Sequence, residues 1–335
     1  MKRYDAADYL YVSAYLKCLE KYLLTREKVE KMLESKTPGD ALKVLYELNY
    51  GSVLDELPAA EYETLLSREL EKTYALVASL APEPEYLMIF LYPNDYHNIK
   101  ALLKAELAGV SADDFLTGAG SVPLPDLASL VRERNYPSMR EEMAKGIREA
   151  IELYGATGDP QSIDLICDKA CYREINIEAA KTGHAFVRGY VRLRIDTINL
   201  KSFVRARDMG KPRNFFTKVY IDGGDIPEQL FLSCYKETPE QFADKLKIYG
   251  LDTLLLESVK MMEKAGLYTA LEKQCENLLT EYMRKTKFIA YGIETLFSYV
   301  SARESDVRTA RLIMAGKLAN IEPGVIRERL RDTYA

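Results

Sequence analysis

Residues able to do chemistry are sparse in this 335-residue chain, which has two histidines and five cysteines. Cys167 and Cys171 stand four apart in a helical stretch, a spacing at which two thiolates can share a metal ion. With only His97 and His184 and no second cysteine pair nearby, four zinc ligands do not assemble, so two buried thiols are expected. The run Gly118-Ala119-Gly120-Ser121 has the glycines of a phosphate cradle but no lysine after it and no strand before it. Asp113-Asp114 reads as exposed loop charge. Neither a Walker-type loop nor a Gly-x-Ser-x-Gly elbow occurs. A nucleophile, a base and an electrophilic site are never brought together, so no catalytic residue, metal ligand or cofactor site is expected. The chain does not read as an enzyme.

The informative polar residues are instead ones that recur. Asp95, Asn98, Lys100 and Gly109 form a pattern repeated as Asp196, Asn199, Lys201 and Gly210, and again as Asp306, Thr309, Arg311 and Asn320. His97 falls inside the first copy, where the others carry Ile198 and Arg308, so a catalytic histidine there would serve one copy of three. Each copy reads as a helix. Offsets 4, 7 and 10 from the aspartate make an apolar stripe: Ile99, Leu102 and Ala105, then Leu200, Phe203 and Ala206, then Ala310, Ile313 and Gly316. The small residue at offset 10 suits a close helix crossing. Gly109, Gly210 and Asn320 are types that accept the left-handed conformation past a helix end. The aspartate and the Asn/Thr share the apolar stripe, which predicts helix-start and interhelical hydrogen bonds for them.

Tyr50-Gly51, Tyr154-Gly155 and Tyr249-Gly250 read as a second mark of the period, each closing an earlier helix. Amphipathic stretches run over 62–81, 163–180 and 270–287. Breakers gather at Gly118–Gly120 with Pro123 and Pro125, and at Asp222-Gly223-Gly224 with Pro227. These loops set the expected limits of three similar helical units, 1–118, 119–223 and 224–335. The fold class is all-α.

Composition agrees. The hydrophobic fraction of 47% with 29% charged residues is that of a globular protein. A net charge of −5 argues against a nucleic-acid partner. The longest apolar run, 86–92, is far short of a membrane span, and Asp5 and Asp8 interrupt any signal peptide. Five cysteines fit a reducing compartment, so a cytoplasmic location is expected. Among 24 tyrosines, most are expected to be half-buried packing residues and a minority to serve an interface.

The segments Asp95–Lys104, Asn199–Ala206 and Ala310–Lys317, with Ile326–Arg331 at the end, resemble the C subunits of the A/V-type rotary ATPases, whose counterpart in the eukaryotic vacuolar enzymes is the d subunit. The resemblance spans nearly the whole chain. It implies a funnel of three helical units around a pseudo-threefold axis and no catalytic site. It also implies a seat on the cytoplasmic face of the membrane rotor ring, receiving the central shaft formed by the D and F subunits. The rival reading is a cytosolic helical scaffold unrelated to rotary motors; a lesser one is a small-molecule enzyme using His97 or Cys171.

Candidate partner-binding positions are the joint loops, with Gly120, Gly223 and Gly224, and the basic face ending in Arg205 and Arg207. The basic residue at offset 5 recurs in all three copies. Lys100, Lys201 and Arg311 are expected to pair with Glu69, Asp168 and Glu276, each on the preceding long helix of its own unit.

Overall fold

The computed structural model describes residues 5–51, 57–265 and 268–335. Among these residues it is all-helical, with no strand. The chain divides into two compact units, residues 1–85 with 257–335, and residues 86–256.

The first unit joins the two chain ends. Its N-terminal part holds α1 (Leu10–Leu19), α2 (Arg26–Glu34), α3 (Pro38–Glu47) and α4 (Tyr62–Leu80). Threonine caps fix two of these starts. Thr25 accepts from Lys28 N, and Thr37 accepts from Asp40 N with Pro38 preset at the first helical position. The C-terminal part continues with α14 (Thr269–Arg284), α15 (Ile293–Leu318) and α16 (Pro323–Arg329). α15 runs through the middle, with Leu296, Phe297, Val300, Ala310, Ile313 and Met314 almost wholly buried. Leu33, Leu45 and Leu66 from α2, α3 and α4 pack into the same core. Gly316 allows α16 to cross closely, since a Cβ there would lie 2.6 Å from Ile326 Cδ1. Lys317 Nζ then donates to the carbonyls of Leu33 and Ser35 at 2.9 and 2.7 Å, closing the open end of α2.

The second unit contains α5 (Met88–Ala108), α6 (Leu124–Glu133), α7 (Glu141–Thr157), α8 (Gln161–Lys181), α9 (Ala185–Asp208), α10 (Arg213–Val219), α11 (Glu228–Ser233) and α12 (Pro239–Leu246). α13 (Asp252–Ala265) begins in it and leads into the first unit. α7 and α8 lie close because Gly146 has no side chain; a Cβ would come within 2.6 Å of Ala170 Cβ. A cluster of Phe203, Phe216, Phe231 and Phe242, with ring centroids 4.8 to 5.9 Å apart, gathers α9 to α12.

Two sequence expectations need correction here. Tyr154-Gly155 does not end a helix: α7 continues to Thr157, and Gly158 takes the left-handed position at φ 67°. The repeat aspartates do not start helices either. α5, α9 and α15 begin at Met88, Ala185 and Ile293, which leaves Asp95, Asp196 and Asp306 within the helices.

Candidate functional site

The three repeat aspartates are 0 to 3% exposed, and each holds a segment that leads into another helix. Asp95 Oδ1 accepts from Ser121 N at 2.8 Å and Val122 N at 3.2 Å, while Oδ2 accepts from Ser121 Oγ. Asp196 accepts from Asp225 N and Ile226 N, both at 3.0 Å. Asp306 Oδ2 accepts from Leu24 N at 2.9 Å. Val122, Ile226 and Leu24 each stand two residues before a helix start, at Leu124, Glu228 and Arg26. The first two copies thus hold the segment that follows them. The third instead holds Leu24, ahead of α2, in the equivalent place.

The asparagines complete this latch. Asn98 exchanges both its amide groups with the backbone of Thr117, donating to O at 2.8 Å and accepting from N at 2.9 Å. Asn199 does the same with Ile221, at 2.7 and 2.9 Å. A carboxamide offers a donor and an acceptor side by side, which is what the N–H and C=O of one extended residue need for two-point pairing. Thr309, buried at the third site, is too short to reproduce that exchange. Gly109, Gly210 and Asn320, past the helix ends, have φ of 68°, 63° and 54°.

Electrostatics differ among the copies. Around Asp95, Arg140 donates to Asp95 Oδ2 at 2.9 Å and to Glu174, which also accepts from Tyr96 Oη at 2.9 Å. Burial pushes the Glu174 carboxyl up, although Arg140 and Tyr96 oppose it. In the first unit, Arg303 pairs with Glu69, donates to Tyr22 O at 3.1 Å and lies 4.5 Å over the Tyr50 ring. Asp196 is pushed up to about 6 by burial, with the Ile226 and Asp225 amides opposing. Burial also pushes Asp306 up to about 7. Sequence reading missed Arg140, Glu174 and Arg303, whose partners are distant in the chain and leave no spacing signal.

Two of the three offset-5 pairs, those of Lys100 and Arg311, are not the ones expected. Lys100 Nζ meets Asp168 at 2.6 Å, and its neighbour Lys104 meets Asp164 at 2.6 Å, so α5 pairs with α8. Arg311 grips Glu63 at the start of α4. Glu69 belongs to Arg303, and Glu276 lies 4.0 Å from Arg308. The acids come from α8 and α4 because α5 packs beside α8 and α15 beside α4.

Among the nominated partner positions, a Cβ on Gly120 would lie 2.3 Å from Asp95 Oδ1, and one on Gly224 2.1 Å from Asp196 Oδ1. Gly223, at φ 103°, lies against Asn176. All three are packed where the latches close. Arg207 stacks 5.3 Å from the Phe203 ring centre and donates to Glu237 O; Arg205 is exposed. His97 Nε2 lies 2.9 Å from Phe115 O. Burial pushes the Cys167 thiol up to about 12 and Cys171 up as well, which keeps both protonated near neutral pH. Among the described residues there is no cluster of metal-ligating side chains, and no helix is long and apolar enough to cross a membrane.

The sequence pattern of the ATP synthase (C/AC39) subunit family matches residues 12–329. The chain belongs to that family. It is 23% identical to the C subunit of the V-type sodium ATPase of Enterococcus hirae, over 98% of this chain and 99% of the relative. The C subunit of the A-type ATP synthase of Methanocaldococcus jannaschii is also 23% identical, over 97% of this chain and 87% of its own length. That of Desulfurococcus sp. is 25% identical over 97% and 90%. Family membership assigns the chain to the C subunits of A- and V-type ATPases, accessory rather than catalytic components, and the latches span the matched region.

Proposed function

We propose that this chain is the non-catalytic rotor piece that joins the D–F central shaft to the membrane ring on its cytoplasmic face. In this role it passes torque between ATP turnover and ion movement. Its three segments, with limits near 118 and 223, act as equivalent parts of one seat. The observation that carries this reading, beside family membership, is the set of latches. A part that transmits torque must not open under load, and each repeat aspartate holds the segment leading into another repeat, the last of them holding the chain start at Leu24. Buried hydrogen bonds of this kind resist local opening in a way that loose surface loops do not.

The test is a reconstituted enzyme with and without the chain. Without it, ATP hydrolysis by the soluble head persists while ion pumping stops. Normal pumping without the chain, or nucleotide turnover by the chain alone, would overturn the proposal. Function spread over broad interfaces also means that single surface substitutions do little unless they strike a central anchor.

A further inference from the structure

Two buried polar atoms beside the third latch have no protein partner: the Tyr50 hydroxyl and the Arg303 Nε–H. Tyr50 follows α3 and is wholly enclosed, so its hydroxyl does not reach bulk water. Its backbone is fixed in place. Tyr50 N donates to Leu45 O at 3.1 Å, and the flanking Asn49 and Gly51 take left-handed φ of 61° and 67°. The terminal nitrogens of Arg303 are occupied, Nη1 with Tyr22 O at 3.1 Å and Nη2 with Glu69. The guanidinium carbon lies 4.5 Å from the Tyr50 ring centre, so the two unpartnered groups are neighbours.

Asp306 stands three residues after Arg303, on the same face of α15, and is 2% exposed. It is the least served of the repeat aspartates. Asp95 accepts from Ser121 N, Ser121 Oγ, Val122 N and Arg140, and Asp196 accepts from two amides. Asp306 accepts from Leu24 N alone. The Tyr50 hydroxyl is pushed well above its usual range, by burial first and by the Asp306 charge next, as expected of close neighbours.

Left dry, this corner would hold an unused N–H, an unused hydroxyl and a half-served carboxyl side by side, each at a cost in free energy. One small molecule with both donors and acceptors matches all three. It accepts from Arg303 Nε–H, donates to the Asp306 carboxyl and pairs with the Tyr50 hydroxyl, which can take either role. A cation there would face the Arg303 guanidinium, and an anion would face the carboxylates of Asp306 and Glu69. A neutral water fits, since a closed polar site with two to four partners is what holds one.

We propose that Tyr50 Oη, Arg303 Nε and the Asp306 carboxyl bind one water molecule, and that this water completes the third latch. The first two latches close through protein groups alone. The third, with Thr309 in place of asparagine, closes through water and draws Tyr50 into the hold on Leu24. This goes beyond the rotor reading and does not depend on it.

The test joins a high-resolution crystal structure of the full chain to Tyr50→Phe, which keeps the ring and removes only the hydroxyl. The crystal should show one ordered water within about 3.2 Å of Tyr50 Oη and of Arg303 Nε. Tyr50→Phe should lower the folding equilibrium constant roughly two- to tenfold, the worth of one hydrogen bond. Exchange of the Leu24 amide should quicken by a similar factor. Tyr50→Phe combined with Asp306→Asn should lose less than the sum of the two, because both groups share one water. A dry hydroxyl has the opposite sign: removing an unmatched buried O–H leaves the variant as stable as the wild type or more so. That result would overturn the inference. So would a Tyr50 hydroxyl bonded directly to Asp306, no density between Tyr50 and Arg303, or strictly additive losses.

Discussion

Asp196→Asn removes a charge from the second latch while keeping its size. The carboxylate is 3% exposed and accepts from Asp225 N and Ile226 N. Burial outweighs these donors and moves its pKa from 3.8 to about 6. A carboxyl that binds its proton more tightly when folded favours the fold at low pH. That contribution is complete below the unfolded value and is lost as pH rises through the folded one. The move from 3.8 to about 6 is worth about 3 kcal/mol, of which about 2 kcal/mol is lost between pH 4.5 and 7.5. Asparagine does not titrate. The stability of the variant minus that of the wild type should therefore rise by about 2 kcal/mol over that range. Its single acceptor oxygen leaves one of the two amides poorly served, a cost of about 1–3 kcal/mol that does not follow pH and appears as an offset. Urea midpoints at several pH values read the slope, and hydrogen exchange at the Asp225 and Ile226 amides places it at the latch. Parallel pH profiles for the two proteins would refute the reasoning, because the buried carboxylate would then ionise without cost.

Arg303→Met should cost about 3–5 kcal/mol, because it leaves the Glu69 carboxylate buried without its guanidinium partner. Adding Glu69→Gln should restore part of that loss in the denaturant midpoint, whereas simple addition of the two single effects would count against the pair. Gly224→Ala should destabilise by about 1–3 kcal/mol, since its Cβ would overlap the Asp196 carboxylate. Gly155→Ala, with nothing within 4 Å and a helical backbone, should gain roughly 0.5–1 kcal/mol in the same measurement.

Much of the molecule is written in local spacing. The apolar stripes through Ile99, Leu200 and Ile313 carry the helical period, and Gly109, Gly210 and Asn320 lie where left-handed residues end the helices. Both signals act over a turn or two of chain, the range over which sequence alone determines conformation. The repeated motif follows from the same spacings, whereas the family rests on the match over residues 12–329. Partners lie beyond that range. A buried aspartate within a helix looks like any cap or core polar residue until packing brings a loop to it. Nothing in the spacing around Asp306 names Leu24, 282 positions earlier. Lys100 carries no mark that prefers Asp168 over Glu69, because both acids lie on long amphipathic helices and only side-by-side packing of α5 and α8 chooses. The pKa values of Asp196 and Asp306 are tertiary for the same reason: desolvation depends on everything that covers a group, while its sequence neighbours supply only a small part of that cover.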